Sequence, residues 1–211
     1  MKAIDIIDRA RALLQDPQKI RWTDDELVYW VSEGQQMIAS LRPDSTAKVK
    51  NLTMPANNHR VNLDDGQRRL LDVLGTSDGY TVTKVDISVL DRHAPHWRKE
   101  TGTRPYHYLY EERDPLVVQV YPAPRTDTVL RVLVSITPSS TLLTTDVLSI
   151  DDSYVSTLVD LVMSRALEKE SAAASIQKGR SYRESAMARL QGATGSDAAN
   201  SPATNEDRIE K

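Results

Sequence analysis

Cysteine is absent from this 211-residue chain, and so is phenylalanine. Without cysteine there are no disulfides and no thiolate metal ligands, which fits a reducing cytosol and leaves the redox compartment open. Without phenylalanine, aromatic packing falls to 8 tyrosines and 3 tryptophans. A basic excess is missing too: 27 Lys and Arg face 30 Asp and Glu, for a formal net charge of -3. Nucleic-acid binding driven by phosphate neutralisation therefore lacks its global signature, and only a local patch would serve it. No apolar run approaches the roughly eighteen residues needed to span a bilayer, and charges in Met1–Asp5 leave no signal-peptide core. A soluble protein with no membrane partner is expected.

Catalytic signatures are also wanting. Gly75-Thr76-Ser77-Asp78-Gly79 lacks the Lys-Ser/Thr of a phosphate-binding loop and reads as a turn. No serine sits in a nucleophile elbow. Of the four histidines, only His93 and His96 are close, and Ala94-Pro95 between them opposes a helix aiming both at one metal. Asp64-Asp65-Gly66 opens like a calcium loop but lacks the later acidic ligands. The expectation is no enzyme, no metal and no cofactor.

What is present begins with two helices. Residues 3–15 place Ile4, Ile7 and Leu14 on one face and end at Asp16-Pro17. Thr23 with Glu26 three residues on forms a capping-box pattern, and the helix it opens carries Leu27, Trp30, Val31, Ile38 and Leu41 before Pro43. From Lys48 the period shortens to two, predicting strands at 49–54, 80–89, 106–110, 116–121 and 129–137, with a phase slip near Thr83-Lys84. Residues 67–74 read as a short helix. Hairpin-length loops without crossover helices argue for antiparallel pairing.

Two stretches in the β region carry residues of interest. Tyr106, Tyr108 and Tyr110 alternate on one strand and so share a face, which suits cross-strand packing or the stacking of sugars or bases. Trp97 beside Arg98 and Lys99 suits a partner contact, or a loop pinned to the sheet.

Residues 151–190 read as a single helical run, roughly 60 Å long at 1.5 Å per residue. A compact chain of this length is only about 43 Å across. The run must bend at Ser171–Ser175 or project. Its first half is apolar well beyond one stripe, through Val155, Leu158, Val159, Leu161, Val162, Met163 and Leu167. In its second half Gln177, Arg180 and Glu184 replace the stripe, which favours projection toward a partner. From Gly192 onward almost nothing can be buried, and a disordered tail is expected. The fold class is α+β: N-terminal helices (1–46), an inserted antiparallel β domain (47–138), a long helix completing the helical body (139–191) and a tail (192–211).

The order of elements resembles the head-to-tail adaptor proteins of short-tailed bacteriophages, the tail tubular protein A type. The resemblance rests on the Thr23–Gln35 helix start with Trp30, Pro95-His96-Trp97 after Leu90-Asp91, Val120-Tyr121-Pro122-Ala123-Pro124 closing a strand, and the opening Asp151-Asp152-Ser153-Tyr154. It implies a structural virion protein, assembled in the host cytoplasm: a ring of twelve copies that docks beneath the portal, seals the head after DNA packaging and receives the tail nozzle or tube. DNA would pass through without sequence-specific binding. On this basis Leu27, Trp30, Tyr154, Leu158, Leu161, Met163 and Leu167 are expected at the subunit interface. Lys178, Arg180, Tyr182, Arg183 and Arg189 are expected at the portal. Trp97, Arg98, Tyr106 and Tyr108 are expected to meet the tail or a neighbouring subunit. The alternative is a carbohydrate- or nucleic-acid-binding β module using the tyrosine face and Trp97.

Overall fold

The computed structural model describes residues 1–170 and 172–200. The chain divides into two compact units, Met1–Leu41 with Ser139–Lys211, and Arg42–Pro138. In chain order the second interrupts the first.

The helical unit is built from α1 (Ala3–Leu14), α2 (Asp24–Leu41), α4 (Val155–Glu168) and α5 (Ala173–Asn200). At the start of α2 the capping box forms as its sequence predicts: Thr23 N–H donates to Glu26 Oε2 at 3.1 Å, and Glu26 N–H donates to Thr23 Oγ1 at 3.3 Å. The α1–α2 connection closes around Asp16, whose carboxylate accepts the N–H groups of Ile20, Arg21 and Trp22 at 3.0–3.1 Å. The Trp22 indole N–H then donates to the carbonyl of Ala166 at 3.0 Å, which ties that connection to α4. Ile6, Ile7, Leu27, Val31, Ile38, Leu158 and Val162 make the centre of this unit, all fully buried or nearly so.

Of the two alternatives for the long run, projection is corrected: the run turns beside the Ser171–Ser175 patch and forms a hairpin. The run is broken between Glu168 and Ala173, and α5 returns antiparallel along α4. Gly179 lies against Ser164, and further along Ser185 Oγ donates to Asp160 Oδ2 at 3.1 Å while Arg189 Nη1 reaches the same oxygen at 3.0 Å. The projecting end therefore folds back onto its own first half. The reason was hidden by residue size: α5 turns Gly179, Ala186 and Leu190 inward at helical spacing, while Gln177, Arg180 and Glu184 face solvent. Glycine and alanine contribute little to an apolar stripe but allow close helix approach. The expected tail falls partly on α5, whose helix runs to Asn200, and partly on 201–211, outside the described residues.

The sheet unit carries nine strands: β1 (Ala47–Met54), β2 (Arg60–Asn62), β3 (Gln67–Thr76), β4 (Thr83–Lys84), β5 (Thr101–Gly102), β6 (His107–Leu109), β7 (Val117–Tyr121), β8 (Ala123–Pro124) and β9 (Thr128–Ile136), with α3 at Ile87–His93. They form sheets of order β1-β9-β3, β2-β7-β6-β4 and β5-β8. The three-stranded sheet is wholly antiparallel, the four-stranded sheet is mixed because β4 pairs parallel with β6, and β5 pairs parallel with β8. Leu52, Met54, Leu70, Val118, Val120, Leu130, Val132 and Val134 fill the space between strands.

Two local expectations are overturned here. Residues 67–74 are strand rather than helix. Leu70, Val73 and Thr76 oppose Val134, Val132 and Leu130, three residues of β3 for every two of β9. Repeated bulges thus turn a period of two into a period of three, which imitates a helical face. The expected strand at 80–89 keeps only Thr83–Lys84. Asp86 accepts the Ser88 N–H at 2.7 Å and caps α3, so the phase slip marks a change of element.

Candidate functional site

Among the described residues no group of three or more His, Asp and Glu side chains is placed to hold a metal ion, and no helix is long and apolar enough to cross a membrane. The functional candidates are surfaces, and each is positioned by one of the two units.

On the helical unit, Leu27, Leu158, Leu161 and Met163 are buried inside the unit itself, whereas Trp30, Tyr154 and Leu167 pack at its edge and keep part of their surface open. Trp30, Met37 and Leu41 of α2 line a groove of about 500 Å³ floored by Leu161, with Arg165 and Arg183 at its rim. Gly34 permits the approach of α4 here, since a Cβ would stand 2.5 Å from Leu158 Cδ1. The rim charges are mutually paired: Arg165 bonds Glu33, and Glu168 lies 3.6 Å from Arg165 and 4.0 Å from Arg183.

The basic residues of α5 separate into two kinds. Arg183 and Arg189 are held by Glu168 and Asp160, and Tyr182 packs partly onto the helical core. Lys178 and Arg180 are exposed, one on each flank of inward-facing Gly179. Sequence spacing places all five on one helix but does not reveal which of them the hairpin partner engages.

In the sheet unit the tyrosine row is not one open face. Tyr108 is 5% exposed and its hydroxyl donates to Asp72 Oδ1 at 2.8 Å. Burial, followed by that carboxylate, pushes the Tyr108 hydroxyl far above its ordinary value, so it stays a proton donor. Tyr110 is partly buried and donates to the Pro115 carbonyl at 3.3 Å, while Tyr106 is half exposed. A stacking platform of three tyrosines is therefore replaced by one exposed ring. Missed from sequence was its neighbour: Arg104 lies 3.5 Å from the Tyr80 ring centroid and 5.9 Å from that of Tyr106. Only folding brings Tyr80 to the other two.

Trp97 is fully buried with Leu90 and Leu109 and cannot itself meet a partner. Its indole N–H donates to Asp91 Oδ1 at 2.8 Å, and exposed Arg98 covers its ring at 4.4 Å while bonding the same oxygen. Those two donors, Trp97 first, hold the Asp91 carboxyl below its ordinary range. His59 meets the Trp97 ring edge-on at 5.7 Å, and burial together with the charges of Arg98 and Arg60 lowers its pKa, favouring the neutral imidazole. The segment is a pinned loop presenting Arg98.

A family model described as SU10 adaptor protein matches residues 1–206, spanning both units. The chain belongs to the SU10 adaptor protein family. Comparison with curated proteins finds no match. As an SU10-family adaptor the protein is a bacteriophage structural protein of the virion, at the head-tail junction. Complementary shape and paired charge at its surfaces are what such a part needs to hold its partners.

Proposed function

We propose that this adaptor forms a closed ring of twelve copies beneath the portal, closes the head after DNA packaging and offers its far side to the tail. The match to the adaptor family along residues 1–206 carries this reading. In it, the helical unit supplies the ring body, with Trp30, Tyr154 and Leu167 at the subunit boundary. The exposed cations Lys178 and Arg180, with residues beyond 192, meet the portal; Arg98 and Tyr106 of the sheet unit meet a neighbour or the tail nozzle. A formal net charge of -3 suits a ring through which DNA passes without being retained. Assembly takes place in the host cytoplasm before the particle is complete.

Mass by light scattering, alone and after mixing with portal, tests the proposal. The expected result is a mass jump to a ring in the mixture; a chain that stays monomeric with portal present sinks it. Reversing charge with Lys178→Glu and Arg180→Glu is expected to weaken portal binding about tenfold or more, with the effect shrinking in high salt. The same variants should melt like the parent, because both side chains are exposed.

A further inference from the structure

The loop that leads into α4, residues 139–150, presents three large apolar side chains to solvent: Leu142 is 76% exposed, Leu143 62% and Val147 65%. These are not on a loose segment. Asp146 Oδ2 accepts the N–H groups of Leu142 and Leu143 at 2.9 and 3.0 Å, and the loop backbone pairs with the chain start through Ala3 N–H to Asp146 O and Leu148 N–H to Met1 O. Thr141 N–H donates to Ser32 Oγ at 3.1 Å, Gln35 Nε2 donates to Thr141 Oγ1 at 2.6 Å, and Ser149 N–H donates to Gln35 Oε1 at 2.8 Å. An apolar knob is thereby fixed to α2 before any partner arrives, which lowers the ordering cost of binding.

The groove of Trp30, Met37 and Leu41 sits on the opposite side of the same helix. At about 100° per residue, the mean direction of Ser32 and Gln35 is roughly 170° from that of Trp30, Met37 and Leu41. A knob on one side of α2 does not reach the groove on the other within one chain. The two surfaces also match in charge. The groove's rim is already compensated through Glu33, Arg165, Glu168 and Arg183, so a charged occupant would upset paired groups while an uncharged one would not. The knob, Leu142-Leu143-Thr144-Thr145 with Val147, carries one carboxylate, Asp146, and that carboxylate is already engaged by the N–H groups of Leu142 and Leu143.

We infer that the knob of one copy seats in the groove of the next, so that α2 stands between a donor surface and an acceptor surface and successive copies join head to tail. Such a heterologous contact generates a ring when the rotation closes. This inference rests on the ring proposed above and names the surfaces that make it.

The absence of native cysteine permits a direct test. The chain carrying both Met37→Cys and Leu142→Cys is assembled with portal, mildly oxidised and run on a non-reducing gel. A ladder of cross-linked multimers is expected, with dimers alone from a mixture of the two single variants and no cross-link from either variant by itself. Absence of these species in a sample whose mass shows an oligomer overturns the knob-groove pairing and leaves the ring standing. Cross-linking of the Met37→Cys variant to portal overturns it as well, by naming a different occupant. A sample that forms no oligomer with portal removes the ring and this inference together. As a second measurement independent of cysteine, Leu142→Asp with Leu143→Asp should leave the melting temperature unchanged and weaken assembly at least tenfold; assembly at the parent's level overturns the pairing.

Discussion

Helices α4 and α5 lie side by side in one hairpin, yet they are built on opposite plans. Along α4 nine of fourteen residues are buried, including the polar Thr157, Asp160 and Ser164. Along the described side chains of α5 only Gly179, Ala186 and Leu190 are buried. One helix is surrounded, the other leans on a narrow line of small contacts and a few polar fasteners. The difference shows that a helix can be firmly placed with little apolar surface, provided the surface it has is flat enough to approach a neighbour. It leaves Lys178 and Arg180 exposed.

The sharpest way to break this comparison is to truncate each helix where it is buried. Leu158→Ala in α4 should cost about 4 kcal/mol, read by urea unfolding with an unchanged slope. Leu190→Ala at the far end of α5 should cost less, about 2 kcal/mol. A loss at Leu190 equal to that of an exposed leucine would show that α5 is not part of the core. Gly179 tests the close approach itself, since a Cβ there would stand 3.0 Å from the Ser164 carbonyl oxygen. Gly179→Val should cost about 2 kcal/mol through that crowding, and Gly192→Val, with open space around its Cβ position, should avoid the clash altogether. Asp160→Ala should cost only about 1 kcal/mol, because Arg189 is half exposed and regains water.

The smallest effect is one of pH and lies in the α1–α2 connection. Burial pushes the Asp16 carboxyl up, but the N–H donors of Trp22, Ile20 and Arg21 with the Arg11 charge outweigh it and hold the group below its ordinary 3.8. Hydrogen bonds from Lys19 and then Arg11 lower Asp24 likewise. A depressed carboxyl stabilises the fold above its ordinary value, and that contribution is lost as pH falls through the depressed one. Asp16→Asn is therefore expected to lower the melting temperature at neutral pH, with the gap from the parent closing as the pH is taken below 3.8. A gap that stays constant with pH would remove the ionised carboxylate from the account.

Much of this fold was legible because local chemistry and global packing agree there. Thr23 and Glu26 announce the start of α2 and make the bonds their spacing predicts. The strands β1, β7 and β9 alternate and are found where alternation placed them. What could not be read was set by geometry that hydrophobic periodicity does not encode. Bulges in β3 gave it a helical period, a carboxylate cap at Asp86 converted the end of a strand into α3, and Gly179 with Ala186 made a contact line that hydropathy passes over. The surfaces follow the same rule. Polarity groups Lys178 and Arg180 with Arg183 and Arg189 and does not tell the exposed pair from the held one, and the burial of Trp97 and Tyr108 depends on partners, Asp91 and Asp72, that only the fold supplies.

The contact at Gly179 sets more than a distance. A helix has a phase about its axis as well as a position, and each residue of slip turns it by about 100°. With Gly179 admitted to the Ser164 backbone and Asp160 grasping Ser185 and Arg189, α5 is indexed at two points against α4. Sliding by one residue would drive a side chain into that backbone and swing Lys178 and Arg180 by more than a quarter turn. The compass bearing of the outward charge is thus set by a missing side chain.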